Sequence, residues 1–276
     1  MVSWRVLSEP ASQKSRDSRG KTRPPLVLAH ATGFCAGVWR PLRALLDGHD
    51  STALDFRGHG RSSSNRTVRS WWEMALDVLA VVPHAGPGRP IAVGHSMGGA
   101  SLVMAELLRP GTFAGLVLIE PIVFPGPYRR NPDHPLVSLA LRRRERFDSR
   151  ASVQDSYGDK PPFASWHPDA LAGYVEGGFV EDDGGVRLAC PPRSEAEVFT
   201  AASAHAAWER LDEVNVPTAI LYGEETDTYQ PGHGEALAAR MPLAMARGIP
   251  GTGHFLPMER PEVVAHAVGE IESGLS

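Results

Sequence analysis

The chain has 276 residues, of which 42% are hydrophobic and 22% are charged. The 28 basic and 32 acidic residues give a net charge of −4. No long block of one sign occurs, which argues against a surface for nucleic acid or an anionic membrane. A chain of this length buries about 75% of the surface that it exposes when unfolded. We therefore expect one domain with an insertion, or two domains.

The N-terminal residues 1–7 lack a sustained apolar run, and a polar segment follows over residues 8–23. On this pattern we expect no leader and a cytoplasmic protein. No apolar run reaches the 18 residues of a membrane span. Cys35 and Cys190 form no metal-type or redox-type pair, and the eleven histidines are scattered, so we expect no metal and no cofactor.

Six short apolar runs, each bounded by turn residues, predict strands that are buried on both faces. They lie at residues 26–29, 52–54, 91–93, 116–119, 219–222 and 244–249. Helical patterns lie between or after them, at residues 69–82, 97–108 and 261–271. This alternation predicts an α/β fold in which a mostly parallel central sheet carries helices on both faces.

The alternation is interrupted between residues 119 and 219, an interval too long for a loop in a compact domain. We predict a core domain over residues 1–124 and 210–276 and an inserted, mainly helical cap over residues 125–209. The cap should cover the C-terminal edge of the sheet. Its charged run at residues 142–146 is interpreted as a solvated helix face, or as the source of an arginine that reaches an anionic substrate group.

The motif with the clearest chemistry is Gly-His-Ser-Met-Gly at residues 94–98, at the junction of a predicted strand and a predicted helix. A Gly-x-Ser-x-Gly sequence in this context holds the serine on a sharp, strained turn, with its hydroxyl exposed. Ser96 is therefore a candidate nucleophile. It needs a base, an orienting acid and an oxyanion site elsewhere in the chain, because a free serine hydroxyl is a weak nucleophile.

Four ordered segments resemble the α/β-hydrolase fold superfamily, in its cap-bearing branch. They are Leu-Ala-His-Ala-Thr-Gly-Phe at residues 28–34, Asp-Phe-Arg-Gly-His-Gly-Arg-Ser at 55–62, the Ser96 motif, and Gly-His-Phe at 253–255. The resemblance spans nearly the whole chain outside the cap. In the second segment we expect Asp55 and Arg57 to pair and fix a tight turn.

The resemblance implies that His254 is the catalytic base, since it follows the last predicted strand and precedes the last helix. Imidazole suits this role because its pKa near 6.5 allows proton transfer at neutral pH. Two carboxylates compete for the role of acid. Asp227 lies in the loop that carries the acid in the family, although Thr226 occupies its usual position. Glu120 follows an earlier strand, as in haloalkane dehalogenases. We favour Asp227 and keep Glu120 as the alternative.

The family pattern also implies an oxyanion hole built from the backbone N–H groups of Met97 and Thr32. Ala31 stands where the family commonly has glycine. His30 is expected to be structural, and the side chain of His95 is expected to point away from Ser96.

A serine at this position implies an acyl-enzyme, whereas related epoxide hydrolases and haloalkane dehalogenases have an aspartate there. The leading hypothesis is hydrolysis of a carboxylic ester, lactone or thioester of a small to medium, partly hydrophobic molecule. The alternatives are carbon–carbon bond hydrolysis of diketone-like substrates, cofactor-free haloperoxidase chemistry, and a receptor-like binding protein with vestigial turnover. We expect a small-molecule substrate, no nucleic-acid or membrane partner, and an oligomeric state that is open, a homo-oligomer included.

Overall fold

The computed structural model describes residues 5–9, 23–62 and 68–275. The expectation of no leader was based on residues 1–7, and residues 1–4 lie outside this part. The described strands are β1 (Arg5–Glu9), β2 (Leu26–Ala29), β3 (Ser51–Asp55), β4 (Ile91–His95), β5 (Gly115–Ile119), β6 (Arg146–Phe147), β7 (Phe179–Asp182), β8 (Gly185–Leu188), β9 (Thr218–Gly223) and β10 (Ala244–Ile249).

Seven strands form the central sheet, in the order β1-β3-β2-β4-β5-β9-β10. Only β1 among them runs antiparallel to its neighbour. The predicted mostly parallel sheet is therefore confirmed, and all six predicted strands belong to it. The edge strand β1 was not predicted, because Arg-Val-Leu-Ser-Glu has too few apolar residues to stand out in a sequence.

Helices pack on both faces of this sheet, and the described α-helices are numbered in chain order. They are α1 (Arg40–Leu45), α2 (Trp72–Val81), α3 (Met97–Leu108), α4 (Pro135–Leu141), α5 (Arg150–Gly158), α6 (Pro168–Gly177), α7 (Pro192–Thr200), α8 (His233–Ala238), α9 (Leu256–Glu259) and α10 (Pro261–Gly274). Successive residues of a strand point to opposite faces. In β2, Val27 joins a core with α2 and α3, and Leu28 joins a second core with α1 and α10.

The segment between β5 and β9 carries α4 to α7 and a three-stranded antiparallel sheet in the order β6-β8-β7. This small sheet was not predicted, because its strands are only two to four residues long. Helix α6 packs on the 3-10 helix Ala36–Trp39 of the core. The division of the chain at residues 125 and 209 stays a prediction.

The turn after β3 differs from the expected pairing of Asp55 with Arg57. The Asp55 carboxylate accepts the backbone N–H groups of Ala36 at 2.7 Å and Arg61 at 2.9 Å. The Arg57 guanidinium instead donates to Asp77 on α2, through Nε at 2.9 Å and Nη2 at 2.6 Å. The expected pair was wrong because a bidentate carboxylate partner was available on the neighbouring helix.

The longest described helix, α10, has 14 residues. No helix within residues 5–9, 23–62 and 68–275 has the length and apolar character needed to cross a membrane.

Candidate active site

Ser96 lies between the last residue of β4 and the first residue of α3, with φ 56° and ψ −116°. Positive φ is costly for a residue with a side chain and persists only where its surroundings hold it. The Ser96 N–H donates to the Ile119 carbonyl at 2.9 Å, and its carbonyl accepts from Ala100 at 3.0 Å and Ile122 at 3.3 Å. A Cβ atom on Gly98 would lie 2.1 Å from the Ala29 carbonyl oxygen. These contacts explain the strained turn and its small residues.

Glu120 directly follows β5 and is fully buried, with φ 42°. Its Oε2 lies 2.6 Å from Nδ1 of His254. The same oxygen accepts the Thr226 hydroxyl at 2.8 Å, and Oε1 accepts the Gly223 N–H at 2.9 Å. An ionised carboxylate can only accept, so the His254 Nδ1 carries the proton in this pair. The other ring nitrogen of His254, Nε2, is then left as an acceptor.

Asp227 does not reach this pair. Its side chain is exposed, and its Oδ1 lies 3.4 Å from the Thr228 hydroxyl. Thr226, at the usual family position of the acid, donates to Glu120 instead. The geometry thus runs against our preference for Asp227 and brings the alternative, Glu120, to His254. The threonine at position 226 was the signal in the sequence, because a hydroxyl there suits a neighbouring carboxylate and cannot replace it.

The side chain of His95, which was expected to point away from Ser96, contacts the backbone of His254. Its Nε2 lies 2.8 Å from the His254 carbonyl oxygen, and the two rings are 4.8 Å apart. Burial, followed by the charge of His254, holds the pKa of His95 well below its ordinary value. A neutral ring must donate Nε2–H to that carbonyl. His95 therefore fixes the loop that carries His254.

The two residues predicted to supply the oxyanion donors, Thr32 and Met97, are distant in sequence and in contact in the structure. Thr32 belongs to the turn Ala31 to Phe34, which is closed by the Phe34 N–H on the Ala31 carbonyl at 3.2 Å. Its hydroxyl lies 3.4 Å from Sδ of Met97. The Thr32 N–H donates to no acceptor among the described residues. Met97 is the first residue of α3, so its N–H has no acceptor within the helix.

His30 supports this turn from below. Its Nδ1 lies 2.7 Å from the Ala31 carbonyl, and its Nε2 accepts the Phe56 N–H at 3.2 Å. Burial, with a smaller effect of His59, lowers the pKa of His30 to about 3. The ring is therefore neutral and structural, with Nδ1 as its donor.

Aromatic residues from three segments of the chain cluster beside the site. The ring of Phe34 lies 5.2 Å from Trp166 and 5.3 Å from Tyr174, and Trp166 lies 5.8 Å from Phe255, next to His254. Ser96 is only 8% exposed. Within the described part of the chain, no group of three or more His, Cys, Asp or Glu residues is placed to hold a metal ion.

Comparison with known proteins gives similar sequences and similar folds. An uncharacterized hydrolase of Bacillus subtilis, YugF, is 25% identical over 263 residues, which cover 90% of this chain and 89% of YugF. The peroxisomal α/β-hydrolase Lpx1 of Saccharomyces cerevisiae superposes with a TM-score of 0.79 at 20% identity, over 98% of this chain and 88% of its own. An enol-lactonase of Burkholderia xenovorans superposes with a TM-score of 0.71 at 18% identity, over 99% of this chain and 96% of the lactonase chain.

The two solved structures show the same fold, and the hydrolase names of the relatives support an enzyme. The model of the alpha/beta hydrolase family matches residues 26–267, which is most of the chain. The chain therefore belongs to the alpha/beta hydrolase family.

Proposed function

We propose that the chain is a serine hydrolase that cleaves a carboxylic ester, lactone or thioester through an acyl-enzyme on Ser96. The observation that carries this proposal is the 2.6 Å contact of His254 with the buried Glu120, next to the strained turn of Ser96. This combination supplies a nucleophile, a base and an orienting acid in the chain order of the fold.

In the acylation step, Nε2 of His254 takes the Ser96 proton while the serine oxygen attacks the substrate carbonyl carbon. The N–H groups of Met97 and Thr32 stabilise the negative oxygen of the tetrahedral intermediate. The intermediate collapses when the bond to the leaving group breaks, and the leaving alcohol or thiol takes the proton from His254. Glu120 keeps the imidazole oriented and stabilises the imidazolium without being protonated.

In deacylation, His254 takes a proton from water, and the resulting hydroxide attacks the acyl carbon. Collapse of the second tetrahedral intermediate releases the carboxylic acid, and Ser96 recovers its proton from His254. No external oxidant or metal is needed for this balance.

The substrate is proposed to be small to medium in size and partly hydrophobic. Phe34, Trp166 and Phe255 form an aromatic cluster beside the Thr32 turn and His254, and Ser96 is largely shielded from solvent. Enclosed sites with apolar walls and few polar groups favour such ligands over polymers.

The test is intact-protein mass spectrometry after exposure to a broad fluorophosphonate. Wild type should gain the mass of one label, and Ser96→Ala should gain none. Full labelling of Ser96→Ala, or no labelling of folded wild type, would overturn the proposal, and the second result would favour the receptor-like alternative.

A substrate panel separates the reaction types, because carbon–carbon hydrolysis uses the same three groups. Simple p-nitrophenyl esters should be turned over at least about tenfold faster in kcat/KM than ring-cleavage diketones, a difference of about 1.4 kcal/mol in the barrier. The opposite order would assign the chain to carbon–carbon bond hydrolysis.

A further inference from the structure

Charged side chains of the cap segment lie directly on the turn that carries Thr32. Gly33, the third residue of this turn, has φ +80°. A Cβ atom on Gly33 would lie 2.5 Å from Oε1 of Glu195 and 3.3 Å from Nη1 of Arg143. The outer face of the turn is therefore in contact with two cap residues that are distant in sequence.

These cap residues form a chain of hydrogen bonds that ends on the turn. Arg143 donates through Nη1 to Glu195 Oε2 at 2.5 Å and through Nη2 to the Tyr174 hydroxyl oxygen at 2.6 Å. The Tyr174 hydroxyl donates to the Gly33 carbonyl oxygen at 3.3 Å. We call this set the Glu195–Arg143–Tyr174 relay.

The direction of each bond follows from the chemistry of the groups. A guanidinium has no acceptor, so the Tyr174 oxygen must accept from Arg143. The single hydroxyl proton of Tyr174 is then donated to the Gly33 carbonyl. Burial raises the pKa of Tyr174 above its ordinary value, which keeps this proton on the phenol at neutral pH.

The relay is largely removed from water. Tyr174 is fully buried, and the side chains of Arg143 and Glu195 are 20% and 7% exposed. Charge-assisted hydrogen bonds in such surroundings are short and directional. The guanidinium is already engaged by a carboxylate and a phenol, which argues against a role of Arg143 in binding an anionic substrate group.

We propose that Arg143 and Tyr174 are positioning residues, which orient the Gly33 carbonyl and thereby hold the Thr32 N–H in place for the oxyanion. This inference rests on the proposed serine hydrolase function. Its consequence is that the oxyanion hole is complete only while the cap segment lies against the core. Docking of the cap and assembly of the catalytic site are then one event.

The variant Tyr174→Phe tests the relay. It removes the hydroxyl and keeps the ring that packs 5.3 Å from Phe34. Loss of an oxyanion donor costs on the order of 10² to 10³ in kcat, and a donor that stays but shifts should cost about tenfold. We therefore expect kcat on a neutral p-nitrophenyl ester to fall about tenfold with KM within about twofold. The rate constant of fluorophosphonate labelling should fall in parallel.

Tyr128→Phe is the matched control, because its hydroxyl donates at 2.6 Å to the exposed Glu209 and not to the turn. It should leave kcat and the labelling rate unchanged. The relay proposal is overturned if Tyr174→Phe keeps kcat within about twofold of wild type while Ser96 still labels. If the wild-type protein were labelled at a residue other than Ser96, that result would instead refute the proposed function itself.

Two further measurements keep the test decisive. If Tyr174→Phe does not fold, the double variant Arg143→Met with Glu195→Gln removes both buried charges together, and it should show the same kcat loss. Substrate binding is addressed by measuring each variant, beside wild type, on a neutral and on a carboxylate-bearing p-nitrophenyl ester. Equal losses of kcat on both esters support the relay, whereas a rise in KM confined to the charged ester would make Arg143 a substrate-binding residue and overturn it.

Discussion

Replacing Glu120 with glutamine isolates the contribution of the acid. The Glu120 carboxylate accepts three hydrogen bonds, two on Oε2 from His254 and Thr226 and one on Oε1 from Gly223. An amide presents one acceptor oxygen and one donor NH₂ group. If the oxygen faces His254, the NH₂ group opposes the Gly223 N–H. If the NH₂ group faces His254, the ring must place its proton on Nε2.

The second arrangement removes the base, because a protonated Nε2 cannot accept the Ser96 proton. Loss of the correct tautomer in a triad of this kind costs about 10⁴ in kcat, equivalent to about 5.5 kcal/mol of transition-state stabilisation. We expect Glu120→Gln to lower kcat on a p-nitrophenyl ester by about this factor. Ground-state binding should change little, since the acid does not touch the substrate.

The matched control is Asp227→Asn, an equivalent carboxylate-to-amide change at the exposed competitor. It should keep kcat within about twofold of wild type, because exposed substitutions away from special contacts have small effects. Thermal unfolding and circular dichroism would verify that both variants are folded. A larger loss of kcat in Asp227→Asn than in Glu120→Gln would refute the assignment of the acid to Glu120.

Two further predictions concern stability. Asp77→Ala removes the bidentate partner of Arg57 in a buried position, while Glu73 stays paired with Nη1. Since a hydrogen bond to a charged group contributes about 1.5 to 3 kcal/mol, the variant should lower the free energy of unfolding by about 2 to 3 kcal/mol. Glu270→Ala, at an exposed ion pair, should cost less than about 1 kcal/mol, and urea unfolding compares the two. Burial lowers the pKa of both His59 and His205 to about 4. Below about pH 6.5 these histidines are protonated in the unfolded chain but stay neutral in the native state. As the pH falls from about 6.5 to 4, each histidine should therefore lower the free energy of unfolding by about 1.4 kcal/mol per pH unit. Replacing His205 with glutamine should reduce this slope in urea titrations at pH 7, 6 and 5; an unchanged slope would contradict its neutral state.

The parallel part of the fold could be predicted because its strands are buried on both faces. Each reads as a short apolar run, and β2 and β10 end at the predicted residues. The edge strand β1 and the strands β6 to β8 leave no such pattern, since they are short or carry mixed side chains. Helix α3 also matched its predicted bounds, because its start is set by the Ser96 turn and a proline follows its end.

From the sequence, the choice of the acid that orients His254 could be narrowed to two carboxylates, Asp227 and Glu120, and no further. Sequence spacing locates the loop after β9, but it does not say which carboxylate approaches a histidine 134 residues from Glu120. That choice depends on the backbone at Glu120, where φ is positive, and on the donors that converge on it from Gly223 and Thr226. Partners brought together by tertiary folding leave no local periodicity in the chain.

Backbone hydrogen bonds tie the Ser96 turn to the segment that carries Glu120. The Ser96 N–H donates to the Ile119 carbonyl, and the Ile122 N–H donates to the Ser96 carbonyl. Ser96 is thus bonded to one residue before Glu120 and to one residue after it. The proposed nucleophile and acid are therefore fixed relative to each other by the backbone. The loop of His254 is tied to the same framework twice, through its carbonyl to His95 beside Ser96 and through its ring to Glu120. The three groups of the proposed triad are thus held on one hydrogen-bonded framework at the ends of β4 and β5.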